Sequence, residues 1–406
     1  MFDVQAARKQ FPALARTQDG RPVAYFDGPG GTQVPAAVIE AMTRVLEEGV
    51  SNLGGDFASS RFAHEITESA RRAIADMFGA ASPEEIVFGQ NMTSLTFSVS
   101  RALARTWRPG DRIVVTSLDH DANVTPWRLA AADRGVAVDM ARFDSDTYRL
   151  EVESVERVLT DRTRLVAVTH ASNALGTIPD VAGIVEVAHA AGALVYVDAV
   201  HYAPHGPIDV RAIGADFLVA SAYKFHGPHT GALYGRAELL EELEAYKVRP
   251  APDTGAEKWE TGTQSFESLA GVAAAVDYLA SLGEGEDRRA RILDAHAAIE
   301  RHVNALSRRF LDGLGDHITL HGIPGVEGRT PTFAITCAGR TPAEVAAHLA
   351  SRGLYVWEGH YYAIEPMAQL GLLDQGGAVR IGFVHTTTGE EVDRLTNRQI
   401  RTVRNY

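Results

Sequence analysis

Four short runs constrain this chain more than any other feature. They are Arg112-Ile113-Val114-Val115-Thr116, Arg164-Leu165-Val166-Ala167-Val168, Ala193-Leu194-Val195-Tyr196-Val197 and Asp216-Phe217-Leu218-Val219-Ala220. Each is apolar on both faces rather than alternating, so each needs cover above and below. Helix-period stretches separate them, as they do all along the chain from about Pro35 to about Glu244. Ala36–Glu48 and Glu65–Phe78 read as helices, and Glu85-Ile86-Val87-Phe88 reads as a short strand. The pattern predicts an α/β fold with a mostly parallel sheet sandwiched between helices.

The pattern breaks at Ser281-Leu282-Gly283-Glu284-Gly285-Glu286-Asp287. A long helix follows, about Arg288 to Leu311, then strands at Ile318–Leu320 and Thr332–Thr336 and a helix at about Pro342 to Arg352. We therefore expect a large domain over residues 21–285, a smaller C-terminal α/β domain over 286–406, and an N-terminal segment, 1–20, packing on the small domain.

Charge and cysteine usage narrow the function classes. The net charge is −13, which disfavours nucleic acid and anionic membranes as partners. One cysteine, Cys337, allows neither an internal disulfide nor a multi-cysteine metal site. No signal-peptide core and no run of about 18 apolar residues is present, so a cytoplasmic enzyme with no bound metal is the expectation.

In a parallel α/β sheet, ligands sit beyond the carboxyl ends of the strands, so the residues following each run carry the chemistry. Asp198 follows the third run and could hold a pyridine nitrogen protonated, although a strand-end aspartate more often caps a turn. Lys224 follows the fourth, in Ser221-Ala222-Tyr223-Lys224-Phe225-His226-Gly227-Pro228. A lysine just past a buried strand is poorly hydrated, so its amine can be neutral and nucleophilic. Alone it would be an ordinary surface lysine; the pairing with Asp198 one strand earlier is far more specific. Ser221 and Tyr223 offer hydroxyls to a phosphate, and so does Thr93, at a helix start after Val87-Phe88. His120 could stack on a flat cofactor and move protons. Asn173 could hydrogen-bond a ring hydroxyl or a substrate carboxylate.

Together these motifs resemble the cysteine desulfurase and selenocysteine lyase branch of the class V aminotransferases, fold-type I enzymes of pyridoxal 5′-phosphate (PLP). The likeness runs from Tyr25-Phe26-Asp27-Gly28-Pro29-Gly30-Gly31 to about Arg394. It rests on His120 with Ala122-Asn123 and Pro126-Trp127, on Ser172 to Thr177, on Asp198 with His201, on Ser221 to Lys224, on Gly262-Thr263 and on Arg380. The resemblance implies that Lys224 holds the cofactor as a Schiff base and shuttles protons. It implies that Asp198 pairs with the pyridine nitrogen, His201 with the ring hydroxyl, and that His120 stacks on the ring. Thr93, Ser221 and Tyr223 would hold the phosphate, and Arg380 would clamp the substrate carboxylate. Thr263 would reach the phosphate of a neighbouring subunit, so a homodimer is implied.

One stretch departs from the family. Where the resemblance places a sulfur-accepting cysteine, this chain has Gly359-His360-Tyr361-Tyr362-Ala363, with the position falling at about Tyr362. A phenol cannot become a persulfide, and Cys337 sits in a strand-like run. With Tyr361, Tyr362 and, at the entrance, Arg61 shaping the side-chain pocket, the expected reaction is a C–S lyase or related β-elimination. Tyr223 and the Asp198-to-His201 spacing also resemble kynureninase-type β-lyases. An aminotransferase or epimerase remains open, as does a PLP-binding protein without catalysis.

Overall fold

The computed structural model describes residues 2–396. Its centre is a seven-stranded sheet made of β1 (Ile86–Gly89), β2 (Arg112–Thr116), β3 (Ala137–Ala141), β4 (Thr163–Thr169), β5 (Leu194–Asp198), β6 (Phe217–Ser221) and β7 (Gly231–Gly235). The spatial order is β1-β7-β6-β5-β4-β2-β3. The pairs from β6 to β3 are parallel, while β7 is antiparallel to both β6 and β1. Six strands therefore point the same way, and their carboxyl ends share one edge.

Both faces of the sheet are covered, as the doubly apolar runs require. Val114, Val166, Val168, Val195, Val197, Leu218 and Ala220 face one core, shared with α1 (Ala36–Glu48), α2 (Ala58–Phe78) and α4 (Phe266–Ser281). Ile113, Val115, Leu165, Ala167, Tyr196, Phe217 and Val219 face the other, with Leu95, Val99 and Leu103 of α3 (Met92–Ala104). Burying one such side chain contributes about 1.5–3 kcal/mol. A polar replacement at Val166, which is fully buried, would break the central layer.

The smaller sheet is antiparallel throughout, in the order β8-β9-β11-β10: β8 (Ile318–His321), β9 (Thr332–Cys337), β10 (Trp357–Gly359) and β11 (Ala378–Gly382). Phe310, Phe333 and Phe383 form its core. The long helix α5 (Arg288–Asp312) joins the two units, with Ile292 and Ile299 in the large core and Leu306 and Phe310 in the small one. The helix Pro342–Ala350 begins with a capping box, Thr341 with Glu344.

The chain's beginning is stitched to the small sheet. Arg8 donates to the Thr386 carbonyl at 2.7 Å and pairs with Glu391 at 3.0 Å. Ala24–Tyr25 pairs in parallel with Leu354–Tyr355, and Asp27 bridges to Gly382. Sequence reading puts residues 24–27 in the large unit; the structure places Ala24 and Phe26 in the small core. Two-residue strands have no period to read, so only the long-range pairing reveals them.

Candidate active site

The site is assembled at the shared carboxyl edge. β1 ends at Gly89, and Asn91 caps α3 by accepting the Ser94 N–H at 2.9 Å. The Met92 N–H, at the first helical position, donates to Ser221 Oγ at 3.0 Å, tying the end of β6 to the start of α3. Gly231 makes this possible: a Cβ there would lie 2.5 Å from the Asn91 carbonyl carbon. Thr93, next along the helix, lines the adjoining cavity. A helix start with a hydroxyl beside it is a ready phosphate cradle.

Lys224 follows β6 in one turn of 3₁₀ helix, and its Nζ donates to the Pro29 carbonyl. Burial, reinforced by the Arg380 charge, pulls its pKa down to about 7, against the opposing pull of Asp198 and Asp27. A sizeable share of the amine is therefore neutral at neutral pH. Asp198 closes β5 and accepts the Val200 N–H at 2.9 Å. Burial pushes its carboxyl up to about 6. A cationic partner would pull it back down and hold the carboxylate ionised.

Arg380, on β11, is 5% exposed and donates to the Asn173 carbonyl at 3.1 Å. Its guanidinium carbon lies 4.5 Å from the Tyr361 ring centroid. The Asn173 amide donates to the Tyr361 carbonyl at 3.0 Å. Around this group, Asn173 Oδ1, Arg380 Nε and Asp27 Oδ1 are buried without a hydrogen-bond partner among the described residues. Asp27 starts the turn Gly28-Pro29-Gly30, and burial pushes its carboxyl up to about 6. Gly30 lets that turn approach the site, since a Cβ would meet Trp357 Nε1 at 2.5 Å.

His120 forms the opposite wall. Its Nδ1 accepts the Ala122 N–H at 3.0 Å, which leaves the proton of the neutral ring on Nε2. Burial first, then Lys224 and Arg380, push its pKa down to about 3, so the ring is neutral. The loop is held below by a buried chain: Thr116 donates to Asp119, Asn123 donates to Asp119 at 2.7 Å, and Trp127 donates to Asn123 at 3.0 Å. Tyr362 stacks on His120, with ring centroids 5.5 Å apart and planes 21° from parallel.

Tyr361 and Tyr362 adopt φ of 48° and 59°, a left-handed conformation that costs a bulky residue about 1–2 kcal/mol. Three contacts hold them there. The Tyr361 hydroxyl donates to the Ala378 carbonyl, its own carbonyl accepts from Asn173, and the Tyr362 carbonyl accepts the Asp121 N–H at 2.7 Å. Tyr362 is 67% exposed at the mouth.

These elements enclose a cavity of about 720 Å³ lined by Thr93, His120, Asn173, Tyr223, Lys224, Tyr361, Tyr362 and Arg380, all read from the sequence. Asp198, His201 and Ser221 are buried beside it rather than lining it. His201 Nε2 is engaged by the Thr330 and Thr332 hydroxyls, each at 3.0 Å. Tyr223 stacks on His229 with ring centroids 4.8 Å apart. Thr263 lines a different, open cavity with Asn52, Leu53 and Val248, and Arg61 is exposed in the first turn of α2. Phe97, Gly30 and Asp27 escape the sequence reading as site residues. Only the first of them carries a signal, an aromatic one turn along α3 from Thr93.

The residues fit PLP. A poorly hydrated lysine amine suits an aldehyde, a buried carboxyl suits a pyridinium, and a helix start suits a phosphate. The unsatisfied Arg380 Nε suits a carboxylate, and the unsatisfied Asn173 Oδ1, an acceptor, suits a hydroxyl donor such as that of the ring. Cys337, in contrast, is 6% exposed within β9, and burial pushes its thiol up to about 11.

The comparisons with known proteins agree with this geometry. The sequence model of the family described as "Aminotransferase class-V" matches residues 24–395. A protein of Mycolicibacterium paratuberculosis (strain ATCC BAA-968 / K-10) named "Probable cysteine desulfurase" is 34% identical over 97% of this chain, which spans 57% of that relative's length. "Cysteine desulfurase" of Dickeya dadantii (strain 3937) is 30% identical over 97% of this chain and 95% of its own. The apo structure of a cysteine desulfurase from Thermococcus onnurineus NA1 superposes with a TM-score of 0.89 at 28% identity, covering 99% of this chain and 98% of the other. This chain therefore belongs to the class V aminotransferases, enzymes of fold-type I that use PLP, and to their cysteine desulfurase-like branch.

Proposed function

We propose that this enzyme cleaves the C–S bond of a sulfur-bearing amino acid by β-elimination, releasing a thiol, a ketoacid and ammonia, with no protein persulfide. The observation that carries the reading is the fate of sulfur chemistry in the chain. Its one cysteine is packed inside β9 with its thiol protonated at neutral pH, and the loop facing the lysine presents Tyr361 and Tyr362.

Bound PLP supplies an electron sink for the pair left when the substrate loses its Cα proton. The chain's own groups do the rest. Arg380 and the Asn173 amide hold the substrate carboxylate. Lys224 Nζ, partly neutral, takes the Cα proton. Asp198 would keep the cofactor nitrogen charged, and Thr93, Ser221 and Tyr223 would hold its phosphate against the start of α3. His120, neutral and fixed by Ala122, covers the ring. Tyr362 stands at the mouth, stacked on His120. Overall, Cα–H and Cβ–S break, the sulfur leaves with a proton as a thiol, and water releases the nitrogen as ammonia. Thr263 would act in a second subunit; exposed Leu53 and Val248, which line the same cavity, support a homodimer. Sedimentation should give a dimer mass.

The test is to load the purified protein with PLP and supply L-cysteine, S-methyl-L-cysteine and S-benzyl-L-cysteine. Stoichiometric pyruvate and ammonia are expected. Alanine with a protein-bound persulfide, or nitrogen transfer that depends on an added ketoacid, would overturn the reading.

A further inference from the structure

The buried charges around Lys224 do not balance without Asp27. The elements packed there contribute Lys224, Arg380 from β11, Asp198 from β5, the neutral His120 and His201, the exposed Glu358 of β10 on the cavity rim, and the phenols of Tyr223 and Tyr361. Away from the exposed rim, buried Arg380 and half-buried Lys224 face Asp198 and Asp27, and Asp198 is committed to the cofactor nitrogen in the function proposed above. Asp27 is then the one carboxylate left for the cations. The Asp27 charge opposes the effect of burial on both Arg380 and Lys224.

Its placement is built rather than incidental. The backbone around Asp27 is tied to the strand that carries Arg380: Gly382 donates to the Phe26 carbonyl at 2.8 Å, and Asp27 bridges to Gly382. The Asp27 carbonyl accepts the Gly30 N–H at 2.7 Å, shaping the turn whose Pro29 carbonyl receives Lys224 Nζ. The same residue thus anchors the turn beneath Lys224 and the strand beside it. Asp27 Oδ1 and Arg380 Nε are both buried and both without hydrogen-bond partners among the described residues. A buried carboxylate is retained at such cost only where a nearby charge offsets it.

We propose that Asp27 is a positioning residue: its carboxylate is the counter-charge shared by Arg380 and Lys224, and it keeps Arg380 aimed into the cavity until a substrate carboxylate arrives there. The proposal rests on Lys224 carrying PLP.

The test compares the wild-type and Asp27→Asn proteins, both loaded with PLP, by titrating their visible absorption against pH. Asparagine preserves the shape and removes the charge. Loss of a nearby anion disfavours the protonated lysine nitrogen, so the spectral transition should fall by about one pH unit, with melting temperature and cofactor content unchanged. A transition at the wild-type pH overturns the proposal and leaves the Lys224 reading intact. A wild-type protein that shows no visible band overturns that reading and this proposal with it. Should Asp27→Asn fail to fold, the double variant Asp27→Asn/Arg380→Met removes both charges. Recovery of a folded, cofactor-binding protein then supports the pairing, and failure of the double variant overturns it.

Discussion

The two walls of the cavity are built on opposite terms. The sheet wall presents Lys224 and Thr93 at the start of α3, backed by Asp198 and Ser221, all at or just beyond the ends of buried strands in ordinary conformations. The loop wall carries Tyr361 and Tyr362 in left-handed backbone beside a short edge strand, with Tyr362 largely exposed. The first wall is fixed by the packing of both cores, so it cannot drift without unfolding the sheet. The second is held by a few hydrogen bonds to Asn173, Asp121 and Ala378. Chemistry common to a family belongs on the first kind of wall, and selectivity among substrates on the second.

The largest effect should come from the sheet wall. Replacing Lys224 with alanine removes the amine that joins the cofactor and moves the proton. Turnover should fall on the order of 10³-fold or more, and the visible band of the PLP-loaded protein should vanish. Retention of turnover by this variant would break the comparison at its root.

Arg380 stands between the walls, on a small-domain strand but fully packed. Arg380→Ala deletes a charge-assisted bond to the substrate carboxylate, about 1.5–3 kcal/mol, hence about 10–150-fold in kcat/KM. Most of the loss should appear in KM, because the carboxylate is held equally before and during reaction. Arg380→Lys should recover only part of it, since a point charge lacks the planar fork. A loss confined to kcat would instead move Arg380 into the proton-transfer step.

The loop wall predicts a loss that depends on the substrate. Tyr362→Ala should lower kcat/KM for S-benzyl-L-cysteine by about 2–12-fold, the worth of one ring contact, and leave S-methyl-L-cysteine nearly unchanged. Equal losses for both would mean that Tyr362 acts on the reacting centre through His120, on which it stacks, and not on the side chain.

The same division decides how much is legible in the sequence. The sheet wall is legible because a strand apolar on both faces, such as Val195-Tyr196-Val197, has one environment available to it, and the residue after it must lie at the carboxyl edge. Helices with strong apolar periods, Ala36–Glu48 and Arg288–Asp312, are legible nearly to the residue. The first turns of α2 are not, because the N-cap residue, Phe57, has no capping side chain and the two serines that follow Ala58 are only middling helix formers. Strands β3 and β7 are hidden as well: Ala137–Ala141 mixes an aspartate into its run, and Gly231–Gly235 has a glycine at each end. The left-handed Tyr361–Tyr362 pair runs against local preference and exists only because distant residues hold it. Asp27 looks like one more turn aspartate; its meaning depends on β11, some 350 residues away in the chain.

The smallest effect concerns sulfur itself. Cys337 closes β9, pairs with Ile318 and packs among Phe310, Phe333 and Ile335. A nucleophilic thiol needs to be ionised and reachable, and this one is neither, since burial pushes its pKa up to about 11. Cys337→Ala should therefore keep kcat/KM within about twofold, while opening a small gap in the core that costs on the order of 1 kcal/mol in stability. Denaturant unfolding read beside the kinetics separates the two effects. A variant as stable as the wild type but more than tenfold slower would put Cys337 into the reaction. The loop wall would then have lost the task assigned to it, and sulfur transfer through a protein thiol would return as the better account of the chemistry.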